Sequence, residues 1–67
     1  MRFNHHALKA LRSQRRWTLN VAADAVGVSR QTLSYIERGM VEPTAKTLGK
    51  LADAFGVPVD RFYSKGA

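Results

Sequence analysis

Residues 19–38 read LNVAADAVGVSRQTLSYIER and are followed by Gly39. Leu19, Ala22, Ala23 and Val26 recur at i, i+3, i+4 and i+7, the spacing of a helix with one buried stripe. The period stops at Gly27, the residue type for which a left-handed helix end costs least. Val28 fills a turn, and Ser29 can cap a second helix over residues 30–38 that Gly39 closes. Leu33 and Ile36 set the buried side of that second helix. At about 100° per residue, Gln31 and Arg38 point almost directly away from it, with Ser34 and Tyr35 beside them. The segment is therefore a pair of short helices, the second anchored on one face and polar and cationic on the other.

The same punctuation extends outward. Asn4 can cap a first helix that runs to about Arg15, with Leu8 and Leu11 turned inward. Thr18 can cap the helix that starts at Leu19. Trp17 sits just before that cap, where an apolar residue often staples the first turn. After the loop MVEP, Thr44 can cap a helix in which Leu48, Leu51, Ala52 and Phe55 repeat the buried spacing, and Gly56 ends it. VPVDRFY, residues 57–63, predicts a short fifth helix with Val59 and Phe62 turned inward. Trp17 and Phe55 belong to the expected core, and Phe62 and Tyr63 are shared between core and dimer contacts. No stretch alternates with period two, so the expected class is all-α: one compact five-helix domain over residues 1–67.

Composition narrows the function classes. A chain of 67 residues has one domain as its prior, and no cysteine means no disulfide and no thiolate zinc site. That suits a cytoplasmic location. No apolar run approaches the roughly 20 residues that span a bilayer, and MRFNHHALKALRSQRR contains no uninterrupted apolar stretch of the secretory kind. No membrane partner is expected. The net charge is +6, with Arg2, Lys9, Arg12, Arg15 and Arg16 ahead of any acid, which favours polyanions and nucleic acid first. Basic residues are normally solvated, so charge alone assigns no role. Arg2 reads as part of a disordered terminus rather than a minor-groove arm. His5 and His6, being adjacent, face different directions, and no third ligand suggests a metal. The five acids form no catalytic pair, and there is neither a nucleophile–base pair nor a glycine-rich phosphate loop. No enzyme activity and no cofactor are expected.

The residue order in 19–38 is that of a helix-turn-helix: small Ala23 where the helices cross, Gly27 at the turn, Leu33 and Ile36 as anchors. Together with LKALR, GVSRQTLSYIERG, EPTAKTLGKLADAFGV and VDRFY, it resembles the lambda-repressor/Cro-like (XRE-type) DNA-binding family from Ala7 to Phe62. The resemblance implies a five-helix fold and a homodimer. It also implies a transcriptional regulator of repressor type with a partly palindromic operator in double-stranded DNA. The family's base-reading positions fall on Arg30, Gln31, Thr32 and Tyr35. Its structural ion pair falls on Glu37 and Arg12, bracing the reading helix against the first helix. Two copies would place that helix in successive major grooves about 34–36 Å apart.

The residue chemistry can be read independently. Arg30 can bond guanine O6 and N7, and Gln31 can bond adenine N6 and N7. Thr32 and Ser34 are short enough for a thymine methyl or a phosphate, and Tyr35 for a base or the backbone. Phosphate candidates are the Thr18 and Thr44 caps with the N–H groups behind them, then Arg38, Lys46, and Arg15 or Arg16. Three positions depart from the family pattern. Leu19 replaces a phosphate-binding glutamine and reads as packing, Val21 replaces the acid of a capping box, and Ala22 replaces a leucine. With no room for an effector domain, regulation would come from abundance, dimerisation or a separate regulatory protein. The alternative is a protein–protein module of antitoxin or anti-repressor type, working through helix four, helix five and the tail.

Overall fold

The computed structural model describes residues 2–63. Four α-helices follow one another: α1 (His5–Gln14), α2 (Leu19–Val26), α3 (Arg30–Glu37) and α4 (Ala45–Phe55). One 3-10 turn, Val59–Phe62, comes last. Each α-helix begins where a short polar side chain can accept an otherwise orphaned N–H. Asn4 accepts from the His6 N–H, Thr18 from Val21, Ser29 from Thr32 and Thr44 from Thr47.

The helix ends share one device. A backbone N–H one or two residues past each helix cap reaches back to a carbonyl of the last turn: Trp17 to Arg12, Val28 to Ala23, Met40 to Tyr35 and Val57 to Ala52. This closure needs a left-handed residue just before the donor. Glycine fills that position three times, and Arg16, at φ 58°, fills it after α1. The sequence carries no glycine signal there, because the arginine occupies a conformation that L side chains rarely adopt. Three of the four donors, Trp17, Val28 and Val57, pack against the core, so the closures also seal it.

The core is built from the expected stripes: Leu8 and Leu11, Ala22, Ala23 and Val26, Leu33 and Ile36, Leu48, Leu51, Ala52 and Phe55. α2 packs on α3 and α4, α1 on α3, and the 3-10 turn on both α1 and α4. Phe3, which carries no periodic signal, is also buried. Its ring stacks on Phe62 at 5.9 Å, and Tyr63 meets it edge-on at 6.4 Å. An isolated antiparallel bridge joins Phe3 to Tyr63, and the Asn4 N–H donates to the Phe62 carbonyl at 2.6 Å. The segment expected to be a free arm is thus tied down from Phe3 onward, while Arg2 is exposed.

Several expectations change. The fifth helix is a single 3-10 turn, Val59–Phe62, whose last residue is tied to the N-terminal segment through the Phe62 carbonyl and ring. Val59 lies on the rim at 38% exposure, whereas Phe62 is wholly buried and belongs to the core alone. Leu19 is half-buried rather than part of the closed stripe. α3 stops at Glu37, with Arg38 as its cap, and α1 stops at Gln14. The His5 and His6 rings do not diverge but lie 4.2 Å apart.

Gly39 carries two constraints at once. Its φ is 73°, and a Cβ there would come within 2.8 Å of the His5 ring. Gly27, at φ 87°, has open space around the same position. In urea denaturation Gly27→Ala should therefore cost about 1 kcal/mol of backbone strain alone. Gly39→Ala should cost somewhat more, about 1.5 kcal/mol, because the outer end of the His5 side chain must also turn aside. His5→Ala in the same chain should remove most of the difference between the two.

Candidate nucleic-acid interface

α3 is positioned from below. Leu33 and Ile36 are 0% and 1% exposed, which fixes the rotation of the helix about its own axis. Its tilt is held by Glu37, the one buried charged residue among those described. Glu37 accepts two bonds from Arg12: Nε to Oε2 at 2.6 Å and Nη2 to Oε1 at 3.1 Å. The third arm of the same guanidinium, Nη1, donates to the Trp17 carbonyl at 2.9 Å. One side chain of α1 therefore holds the end of α3 and the residue that precedes the cap of α2. Bidentate geometry of this kind is available to arginine and not to lysine.

The opposite face of α3 is open. Leu19, Arg30, Gln31, Ser34, Tyr35 and Arg38 line a single groove. Its side chains are partly ordered by one another. Gln31 Nε2 donates to the Tyr35 hydroxyl at 2.9 Å, and the Arg38 guanidinium lies 5.6 Å from the centre of the Tyr35 ring. Arg38 Nη2 also contacts Met40 Sδ. Gln31 keeps one N–H and its carbonyl free after that bond, the donor–acceptor pair that adenine N7 and N6 require. Arg30 is exposed in the first turn of α3. Thr32 is exposed too, but its hydroxyl accepts from Ser29 Oγ at 2.8 Å and it stands outside the groove lining.

The phosphate candidates separate into two groups. Thr18, Arg16, Arg38, Thr44 and Lys46 are exposed, the two threonines at the starts of α2 and α4. The Thr44 hydroxyl is already donated to Thr47 Oγ1, so at α4 an anion would meet the first-turn N–H groups rather than the cap itself. Arg15 is exposed as well, but its guanidinium is engaged elsewhere. Its guanidinium lies 5.2 Å from the Trp17 ring centre and 5.3 Å from that of Phe55, and Nη2 donates to the Phe55 carbonyl. It thereby caps the C-terminus of α4, where a cation is favoured. Trp17 meets the Phe55 ring at 5.3 Å, so it staples the start of α2 to α4. The residue that sequence reasoning left outside the surface is Leu19. Its apolar character and helical register point inward, and only the approach of α2 to α3 puts it in the groove.

Two short helices meeting at a left-handed glycine, with an exposed polar face on the second, define a helix-turn-helix domain. Residues 8–62 match the family described as Helix-turn-helix (HTH_3), and the chain belongs to that family. It is 46% identical over 63 residues to the HTH-type transcriptional regulator SutR of Escherichia coli (strain K12), covering 94% of this chain and 35% of SutR. It is 38% identical over 56 residues to an uncharacterized HTH-type transcriptional regulator of Methanocaldococcus jannaschii, covering 84% of this chain and 85% of that one. Its fold matches the P22 c2 repressor, solved in complex with a synthetic operator, at a TM-score of 0.86 and 25% identity over the whole of both chains. The chain thus spans about a third of the length of SutR. Among the described residues no helix is long and apolar enough to cross a membrane.

Breaking the brace should be costly, because a charge would be left buried without its partner. Glu37→Ala is expected to lower the unfolding free energy by about 3 kcal/mol in urea denaturation. Arg12→Lys should also destabilise, and the apolar double replacement Arg12→Met with Glu37→Leu should recover most of the loss.

Proposed function

We propose that the chain is a sequence-specific, DNA-binding transcriptional regulator of repressor type that reads a partly palindromic operator in the major groove with α3. The observation that carries this reading is the groove on α3. A cationic, hydrogen-bonding face is exposed on a helix whose other face is locked to the core and to Arg12. Rigid backing matters because base readout needs donors and acceptors placed within a few tenths of an ångström.

Arg30 and Gln31 are the principal base readers, for guanine and adenine respectively. Ser34 and Tyr35 share the groove, and Tyr35 orients Gln31 through their mutual hydrogen bond. Thr32 lies at the edge of that surface. Arg38, Arg16 and Lys46 supply cations to the backbone, with the starts of α2 and α4 at Thr18 and Thr44. Arg15 is left out of the phosphate set because it caps α4. The domain works as a homodimer on double-stranded DNA in the cytoplasm, under the control of dimerisation or of a separate regulatory protein.

Selection of bound sites from random duplex DNA tests the reading. A palindromic consensus is the expected result, and the absence of any enriched sequence would overturn it in favour of a protein–protein module. On the selected site, Gln31→Ala should cost about 1–3 kcal/mol and relax the preference at one position per half-site, with unchanged thermal stability. Arg38→Ala should weaken binding to all sequences alike and flatten the dependence of log K on log salt by about one unit. A loss confined to a single base pair would contradict its backbone role.

A further inference from the structure

We infer that Leu19 is a specificity-determining residue, its side chain forming the apolar seat for a thymine C5-methyl in the major groove. The inference rests on the DNA reading above and adds to it a contact from outside α3.

Leu19 opens α2 in register with Ala22, Ala23 and Val26, which are 0%, 3% and 5% exposed. Leu19 itself is half-buried. One side of it packs against the core, and the other lines the groove with Arg30, Gln31, Ser34, Tyr35 and Arg38. Those five neighbours present two guanidinium groups, an amide and two hydroxyls. The Tyr35 ring does not substitute for an aliphatic surface, because Arg38 lies over it and its hydroxyl is paired with Gln31. Leu19 is therefore the aliphatic wall of an otherwise polar groove.

In the major groove the thymine methyl is the one apolar group that a base pair presents, and it stands on the same edge as the adenine atoms Gln31 can bond. A methyl placed against Leu19 leaves water, whereas against any of the five polar neighbours it would displace water from groups that need it. The leucine has little freedom left to lose on binding. Thr18 caps its helix, and Arg12 grips Trp17 two residues before it. It has no hydrogen-bonding group of its own, so its side chain cannot serve a phosphate.

The selected consensus duplex, resynthesised with deoxyuridine at one thymine at a time, removes the methyl and leaves base pairing and O4 intact. The unmodified protein should lose about fourfold in affinity at one thymine per half-site, the scale of one buried carbon. Leu19→Ala should bind the all-thymine duplex more weakly and be indifferent to deoxyuridine at that position. Leu19→Gln, which removes the branched apolar end but keeps a packing stem, serves as a second variant if alanine prevents folding and should likewise lose the discrimination, whereas Leu19→Met should keep it. Thermal unfolding followed by circular dichroism checks that each variant is folded. The inference is overturned if no thymine responds in the unmodified protein, or if Leu19→Ala retains the full loss at the same position, which would assign the methyl to another residue such as Thr32. A selection that enriches no site fails one step earlier, marking the DNA reading itself as wrong and Leu19 with it.

Discussion

The Arg12 guanidinium is the joint on which the geometry turns. It binds Glu37 through two parallel hydrogen bonds and the Trp17 carbonyl through a third. Glu37 is the last residue of α3, and Trp17 immediately precedes the cap of α2. One side chain of α1 therefore sets both halves of the helix-turn-helix. Backbone bonding reinforces it, since the Trp17 N–H returns to the Arg12 carbonyl. An ion pair of this kind contributes less to net stability than to keeping one arrangement, because desolvating both charges offsets much of their attraction.

Around this joint the chain compensates for its small size with closures. A domain of this length buries little apolar surface relative to what its unfolded chain exposes. Three of the four helix ends therefore contribute: Trp17, Val28 and Val57 each close a helix and pack against the core in the same step. Arg15 spans the Trp17 and Phe55 rings and caps the carbonyl end of α4. Phe3 and Phe62 stack, and the bridge from Phe3 to Tyr63 brings the two ends of the described segment together.

How far the site could be read from sequence depended on the range of the signal. Helix caps are local, and Asn4, Thr18, Ser29 and Thr44 all stand where the pattern put them. Core stripes are nearly local, and most of their positions are buried as expected. The pair between Arg12 and Glu37 joins residues 25 apart and came from a family resemblance, since no periodicity connects them. Phe3 was not legible because a single aromatic outside any helix has no period to betray it. Arg15 reads in sequence as one more surface cation, and only the fold brings it to the end of α4. Leu19 reads as core because helical register alone cannot show that the neighbouring helix leaves one side of it open.

By itself, the sequence determined which segments become helices, where each begins, and which face of α3 is polar, because capping and amphipathicity act within a few residues. Tertiary structure alone decided that the last segment closes as one 3-10 turn, that Arg15 serves α4, and that Leu19 joins the surface formed by α3. Those outcomes depend on the approach of elements distant in the chain, and the energies that fix them are contacts between helices rather than preferences within one.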